Sequence, residues 1–311
     1  MGYHIGSFNM RDLNYANQAK GGEKLKRDFE KIAEIIAKED FDVVGLQEIN
    51  SESALNYLIS VLNRKYRDSR HNFQCVFGNG MPTHSHDPER YGFLWNEKRL
   101  RLVNVKRGMN PGYYINAGGA GVIRPPYYGR FTARGMLGGS NFELRLVNIH
   151  IKDASHEEEK IQEFNVLLKQ VLPRICDHQE VSEEGELMPA YTFLLGDYNI
   201  CLNKGPRAIF RIDKVTATSF TGKKRYFLTV QEDLTSLRQV GNQTSIEECY
   251  ANNYDHFTYE DELGFKLKLK TQRVEALSKY FSAEDGAVAK LKSYREKVSD
   301  HVPISMNMEL K

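Results

Sequence analysis

Short apolar runs broken by polar turns dominate this 311-residue chain and predict more strands than helices. Four runs, at 3–9, 41–50, 142–151 and 191–197, have the length and composition of buried strands. Further strands are predicted in the segments FQCVFG, YGFLWN, LRLVNV, YDHFTYE, FKLKLK and VPISMNMEL. Polar turns rich in Gly and Pro separate several of them.

The segment FKLKLK, at 265–270, alternates apolar and basic residues. In a strand such alternation sends one set to the core and the other to solvent. We therefore expect Phe265, Leu267 and Leu269 to be core residues.

Helical spacing of apolar residues appears in four segments. The stretch 22–40 repeats apolar positions every three or four residues, and a second helix is predicted over about 53–65. Ser155 and Glu158 form a capping box that opens a third helix. A charged helix is predicted near 284–297.

Many neighbouring strands lie too close in sequence to be joined by helical crossovers, which favours mixed sheets over a doubly wound parallel sheet. The sequence therefore predicts an α+β fold with two sheets packed face to face and helices outside. No linker, repeat or low-complexity tract divides the chain. We expect a single domain over 1–311, with a polar and basic insertion near 203–225.

Composition and charge exclude only a few classes of protein. The chain is 41% apolar and 27% charged with a formal net charge of +2, which indicates a globular protein but no particular partner. Four cysteines without a CxxC pair favour reduced thiols over a zinc site or a disulfide framework. No apolar run is long enough to span a membrane. Without a visible signal peptide we expect a cytoplasmic monomer, with secretion open if a leader has been removed.

Polar residues that could take part in catalysis or metal binding lie at the ends of the predicted strands. They are Asn9, Glu48, His150, Asp197, Asn199, Asp300 and His301. Asp197 and Asn199 are two residues apart, so a strand would present both on one side. Strand ends on a rigid scaffold can bring such groups together from distant parts of the chain.

Eight fragments in this order resemble the endonuclease/exonuclease/phosphatase superfamily, most closely its deoxyribonuclease I type. The fragments are FNMR (8–11), LQE (46–48), ERYGFLW (89–95), RPP (124–126), NIH (148–150), GDYN (196–199), YDHF (254–257) and SDHVP (299–303). The resemblance implies a four-layer sandwich, two packed mixed β-sheets flanked by helices. It also implies a metal-dependent phosphodiesterase, foremost an endonuclease that hydrolyses DNA by in-line attack of water.

The resemblance further implies a site for one hard divalent cation. Glu48 would be its main ligand, with help from Asn9 and Asp300. Oxygen ligands of this kind suit Mg²⁺ or Mn²⁺. Asp197 and Asn199 would orient the scissile phosphate or the attacking water.

Two histidines would exchange protons during the reaction that the resemblance implies. His150 would be supported by Glu89 and His301 by Asp255, because a carboxylate fixes an imidazole tautomer and favours its charged form. We expect His301 to be the base and His150 the acid, although the two roles are exchangeable. Cationic groups that would neutralise the phosphate oxygens are Arg124 and Arg11.

The sequence leaves the substrate open. Asn50 and Asp87 stand where the deoxyribonuclease I type carries an Arg and a Tyr that grip the minor groove. DNA is the expected partner, while RNA, a phospholipid or a small phosphate ester remains possible, as does a binding module without catalysis. Basic residues interleaved with aromatics in the insertion could follow a nucleic-acid backbone or form an ordinary solvated loop. These residues are Lys204, Arg207, Phe210, Arg211, Lys214, Phe220, Lys223, Lys224, Arg225, Tyr226 and Phe227.

Overall fold

Two β-sheets stacked face to face, with helices on their outer faces, make up the fold in the computed structural model. The structure describes residues 2–14, 19–20, 23–24, 27–79, 90–103, 112–116, 122, 124–133, 142–153, 157–178, 188–201, 215–218, 222–230, 233–282 and 284–311.

The strands appear where the apolar runs predicted them, together with several short additions. They are β1 (Gly2–Leu13), β2 (Ala19–Lys20), β3 (Glu23–Lys24), β4 (Val43–Ile49), β5 (Phe73–Phe77), β6 (Arg90–Asn96), β7 (Leu100–Leu102), β8 (Tyr113–Tyr114), β9 (Tyr127–Ala133), β10 (Glu143–His150), β11 (Ala190–Asp197), β12 (Val215–Thr218), β13 (Lys224–Val230), β14 (Asp255–Glu260), β15 (Leu267–Arg273) and β16 (Ile304–Leu310).

Both large sheets are mixed. The first has the order β15-β16-β1-β4-β6-β5, and the second has the order β12-β13-β14-β11-β10-β9-β7 with β8 paired to β9. In the first sheet β1 runs parallel to β4 and antiparallel to β16. In the second sheet β11 runs parallel to β10 and antiparallel to β14. The expectation of mixed sheets is confirmed.

The helices are short and most of them pack against the outer faces of the sheets. They are α1 (Phe29–Lys38), α2 (Glu52–Tyr66), α3 (Glu157–Val166), a π-helical turn (Leu167–Val171), α4 (Leu172–Asp177), α5 (Leu263–Lys266), α6 (Ala276–Lys279) and α7 (Ala287–Lys297). The helix predicted over 22–40 begins only at Phe29, because Asp28 caps it by accepting a hydrogen bond from the Lys31 N–H at 2.9 Å. Ser155, half of the predicted capping box, lies outside the described residues.

Three apolar clusters account for the layering. One lies between the sheets and contains Phe93, Leu144 and Phe193. A second packs α1, α2 and α7 on the first sheet, and a third packs α3, the π-helical turn and α4 on the second. Burying both faces of each sheet is what produces four layers.

Polar contacts join the two sheets close to the C-terminal ends of β4 and β10. The Gln47 side chain donates to Asn148 Oδ1 at 2.7 Å, and Asn148 Nδ2 donates to the Leu46 carbonyl at 2.9 Å. Gly45 allows the close approach, since a Cβ there would lie 2.3 Å from Leu195 Cδ1. These buried amides fix the position of one sheet relative to the other.

Two sequence predictions need correction. Phe265 is 81% exposed because α5 interrupts the alternation, and β15 starts only at Leu267, which is buried. Part of the basic insertion is not a loop, since β12 and β13 pair as an antiparallel hairpin at the edge of the second sheet. Within that hairpin Arg225 is buried and pairs with Asp177 and Glu260, so it does not face a nucleic acid.

The remaining part of the insertion, 202–214 and 219–221, lies outside the described residues. Among the residues that the structure describes, no helix is long and apolar enough to cross a bilayer.

Candidate active site

The ends of four strands, an irregular point within β1 and the segment before β16 converge at one end of the two sheets. Asn9 was expected to end the first strand, but β1 continues to Leu13. The ladder of the second sheet pairs His150 with Asp197 and Asp197 with Asp255, so three neighbouring strands present these residues at one level. Asn9 and Glu48 come from adjacent strands of the first sheet. The convergence is a consequence of strand order and register.

Asn9 connects the two sheets at this end. Its Nδ2 donates to Glu48 Oε1 at 2.8 Å and to Asp197 Oδ2 at 3.0 Å. Its Oδ1 accepts a hydrogen bond from the Arg11 N–H at 2.9 Å, which fixes the orientation of the amide. One buried amide therefore holds two carboxylates side by side.

Glu48 is held in an unusual backbone conformation, with φ of 55°. Residues other than glycine seldom adopt such angles, and they occur often at functional sites. The Glu48 Oε2 atom accepts the Asp12 N–H at 3.2 Å, where β1 departs from regular pairing with β4. The carboxylate is thus fixed by backbone and side chain while remaining 16% exposed.

His301 is buried between two carboxylates. Its Nδ1 lies 2.8 Å from Asp255 Oδ2 and its Nε2 lies 3.7 Å from Asp197 Oδ2. Burial by itself lowers the pKa of His301, but the carboxylates of Asp255 and Asp197 outweigh it and hold this pKa well above its ordinary value. The two carboxylates therefore favour the cationic form of the imidazole.

His150 approaches the same carboxylate from the other side, with its Nε2 3.7 Å from Asp197 Oδ2 and 4.0 Å from Glu48 Oε1. Asn199 Nδ2 lies 3.2 Å from this Nε2 and also donates to the Ile151 carbonyl at 2.8 Å. Because an amide nitrogen only donates, this contact favours the form of His150 that has a lone pair at Nε2.

The Asp197–Asn199 segment is a turn rather than a continued strand. Asn199 has φ of 49°, and its N–H donates to Asp197 Oδ1 at 2.8 Å. The two side chains reach the same site, as the sequence predicted, but through this turn and not through strand alternation. Burial is the largest influence on Asp197 and raises the pKa of its carboxyl, although His301 and His150 oppose the rise.

Comparison with known proteins gives structural matches only. No family model matches the sequence, and no curated protein matches it. A solved endonuclease/exonuclease/phosphatase family protein of Bacteroides thetaiotaomicron superposes with a TM-score of 0.54 at 12% identity, covering 99% of this chain and 98% of the other. The mannosyl-6-phosphatase of the same organism gives 0.54 at 13% identity, covering 99% of each chain. The human Nocturnin catalytic domain gives 0.52 at 15% identity, covering 100% of this chain and 95% of its own.

The chain has the endonuclease/exonuclease/phosphatase fold. The predicted α+β arrangement of two mixed sheets with helices outside is thereby confirmed.

On this endonuclease/exonuclease/phosphatase fold, two residues of the predicted site pair with each other. Asp300 Oδ2 lies 3.2 Å from Arg11 Nε and 3.7 Å from Arg295 Nη2. The Arg11 guanidinium also donates to the Arg295 carbonyl at 2.8 Å. The contacts of Arg11 and Asp300 are thus directed at each other and at α7, whereas the resemblance assigned them to phosphate and metal.

Of two other predicted residues, the structure describes Arg124 but not Glu89. Arg124 is buried, and it lies close enough to the buried Tyr91 hydroxyl to oppose the rise that burial causes in the pKa of Tyr91. Tyr91 in turn accepts the His150 N–H at 2.9 Å. Glu89, the predicted support of His150, lies outside the described residues, as does Asp87.

Sequence reasoning missed two residues that hold the site from behind. Tyr91 supports the backbone of His150, as described above. Ser299 donates to the Asn9 carbonyl at 2.7 Å and accepts the His301 N–H at 3.1 Å, which ties the segment before β16 to β1. Both contacts join distant parts of the chain, so no local pattern indicates them.

The described residues offer two sets of atoms that could hold a cation. Ligand atoms of Asp197, Asp255 and His301 lie within 4.8 Å of one another, but Asp255 and His301 are already hydrogen bonded together. Glu48 and Asp197 present carboxylate oxygens on either side of the Asn9 amide. Hard oxygen donors without an imidazole fit Mg²⁺ or Mn²⁺ better, so we favour the second set.

Proposed function

We propose that this protein is a divalent-metal-dependent phosphoester hydrolase. The observation that carries the proposal is the position of Asp197, whose Oδ2 lies 3.7 Å from the Nε2 atoms of both His150 and His301. Two imidazoles on opposite sides of one carboxylate can serve as the proton acceptor and the proton donor of the same reaction. Phosphoester hydrolysis requires both, because water must be activated and an alkoxide must be stabilised as it leaves.

Glu48 and Asp197 would hold the cation, with Asn9 keeping their carboxylates in place. A bound Mg²⁺ or Mn²⁺ supplies positive charge that offsets the charge developing on the phosphate oxygens. The site residues fit such an ion because their donors are oxygens and one of them, Glu48, is partly open to solvent.

The contacts favour the reverse of the proton roles expected from sequence. His150 Nε2 offers a lone pair that Asn199 Nδ2 approaches at 3.2 Å, and it can accept the proton of the attacking water once the water replaces that contact. His301 is held in its cationic form by Asp255, so it is suited to give a proton to the leaving oxygen. Asn199 would hold His150 and the water in line with the phosphorus.

Within this class we propose a phosphodiester of DNA as the substrate, on the strength of the motifs that resemble the deoxyribonuclease I type. A small phosphate monoester is the second candidate, because a basic residue of the insertion and the residue at the groove-binding position both make their contacts within the protein. Arg225 is buried against Asp177 and Glu260. Asn50, at the position of the groove-binding Arg, donates to Asp12 Oδ1 at 3.0 Å.

The test is hydrolysis of supercoiled plasmid, bis(p-nitrophenyl) phosphate and p-nitrophenyl phosphate with Mg²⁺, Mn²⁺ or a chelator. We expect metal-dependent nicking, and we expect His150→Ala and His301→Ala each to lower kcat by about two to four orders of magnitude. Turnover of the monoester alone would support the second candidate. No turnover of any ester would contradict hydrolase function and favour a binding module.

A further inference from the structure

The ammonium group of Lys160 is buried beside the turn that carries Asn199. Its side chain is 5% exposed, which is rare for lysine unless the charge is paired. The Nζ atom donates to Asp153 Oδ1 at 2.9 Å and to the Asn199 carbonyl at 3.2 Å, and it lies 3.7 Å from Glu157 Oε1. α3 thereby places a buried cation against the candidate active site.

The acidic partners of Lys160 do not by themselves account for its burial. The Asp153 side chain is 77% exposed and that of Glu157 is 46% exposed, so both carboxylates are screened by water. The attraction within a screened ion pair is weak and offsets little of the cost of removing an ammonium group from water. An apolar side chain of the same length would fill the space without that cost. The contact that distinguishes lysine here is the one to the Asn199 carbonyl.

The contact anchors a residue with an uncommon backbone conformation, since Asn199 has φ of 49°. Its N–H is held by Asp197 Oδ1 at 2.8 Å, and its Nδ2 is held by the Ile151 carbonyl at 2.8 Å. Lys160 holds the main-chain carbonyl. With these anchors in place, Asn199 Nδ2 directs a hydrogen at His150 Nε2 over 3.2 Å.

We propose that Lys160 is a positioning residue that holds Asn199, and through it His150 Nε2, in the geometry for proton transfer. The inference rests on the proposed hydrolase function, but its structural part is independent of the substrate. Lys160 acts on the orientation of the groups around the reacting atoms and does not itself touch the phosphate.

Steady-state kinetics of Lys160→Met, Lys160→Arg and Lys290→Met test this role. Lys290 is a matched control, since it is also a buried lysine on an outer helix but lies on α7. We expect Lys160→Met to lower kcat by about 10- to 100-fold with KM little changed, because misplacement near the reacting atoms affects the chemical step. Lys160→Arg should restore most of kcat, and Lys290→Met should leave it unchanged. An unchanged kcat in Lys160→Met would overturn the proposal.

A double-mutant cycle separates positioning from general destabilisation. If Lys160 acts through Asn199, adding Lys160→Met to Asn199→Ala should cause no further loss of kcat. Losses that multiply would overturn the proposal. Asp153→Ala keeps the stem of Lys160 in place and should cause a smaller loss of kcat, so the test stands even if Lys160→Met does not fold.

A readout without substrate distinguishes failure of this inference from failure of the proposed function. In ¹⁵N NMR spectra of the imidazoles, Lys160→Met and Asp153→Ala should shift the His150 Nε2 resonance and leave that of His301 in place. Lys290→Met should shift neither. An unmoved His150 resonance in Asp153→Ala and in folded Lys160→Met would overturn the positioning role whether or not the wild-type protein hydrolyses any ester.

Discussion

The charge of His301 is set by its neighbours. Its Nδ1 contacts Asp255 at 2.8 Å, and the same carboxylate, together with Asp197, outweighs the effect of burial on its pKa. Since this pKa lies well above the ordinary value of about 6.5, protonated His301 stabilises the fold. That stability is fully present below about pH 6.5 and is lost as pH rises through the folded-state pKa.

We expect Asp255→Asn to bring the pKa of His301 down toward its ordinary range, because the carboxylate that favours the imidazolium is removed. NMR titration of the histidine ring protons in the presence of a chelator measures this pKa. Asp68→Asn is the control, since Asp68 lies 3.0 Å from a different imidazole, that of His71. A wild-type His301 that titrates near pH 6.5 would contradict our description of this pair.

At the residue scale, the sequence could indicate that His301 and Asp255 belong together only through the resemblance of the fragments SDHVP and YDHF. It could not indicate the direction of the pKa shift, which depends on burial and on the approach of Asp197. Tyr91 and Ser299 were missed for a related reason, since their partners, His150 and Asn9, are distant in sequence.

At the scale of elements, the end of β11 depends on a glycine. Gly196 has φ of 144°, and a Cβ built on it would lie 1.9 Å from the Ile149 carbonyl oxygen of β10. The clash is with backbone, so no side chain can move aside to relieve it. Gly196 therefore permits the close pairing that brings Asp197 level with His150.

We expect Gly196→Ala to lower the free energy of unfolding by at least about 2 kcal/mol, because the strain falls on the β10–β11 ladder. Urea denaturation followed by circular dichroism measures the change. Gly264→Ala is the control, as a Cβ at Gly264 has open space around it, and it should change the free energy by less than about 0.5 kcal/mol. Equal stability of Gly196→Ala and wild type would show that β10 and β11 do not pair as closely as described.

The period and length of the apolar runs predicted most strands, because a strand that is buried on both faces consists mainly of apolar residues. The alternation of FKLKLK wrongly predicted that Phe265 is buried, because Phe265 belongs to α5 and β15 begins only at Leu267. The hairpin of β12 and β13 was missed because the basic residues Lys223, Lys224 and Arg225, just before and at the start of β13, indicated a solvated loop. Its Arg225 belongs to a buried ion-pair network with Asp177 and Glu260 that only tertiary structure reveals.

At the scale of the whole molecule, the candidate site requires both sheets. Asn9 and Glu48 come from the first sheet, and His150, Asp197 and Asp255 come from the second. Which strands become neighbours does not follow from local pattern, so the sequence could place these groups at one rim only through the order of the family motifs. The structure supplies the physical basis, in the register of the strands and the amide contacts between the sheets.

In the proposed site Glu48 binds a divalent cation beside two imidazoles, and Mn²⁺ tests this binding directly because the ion is paramagnetic. We expect added Mn²⁺ to broaden the NMR resonances of His150 and His301 while sparing His71, which lies toward the opposite end of β4. Glu48→Gln should abolish the broadening, whereas Glu158→Gln, a change at an exposed residue of α3, should preserve it. Broadening that persists in Glu48→Gln, or that never reaches either imidazole, would contradict cation binding by Glu48 at this site.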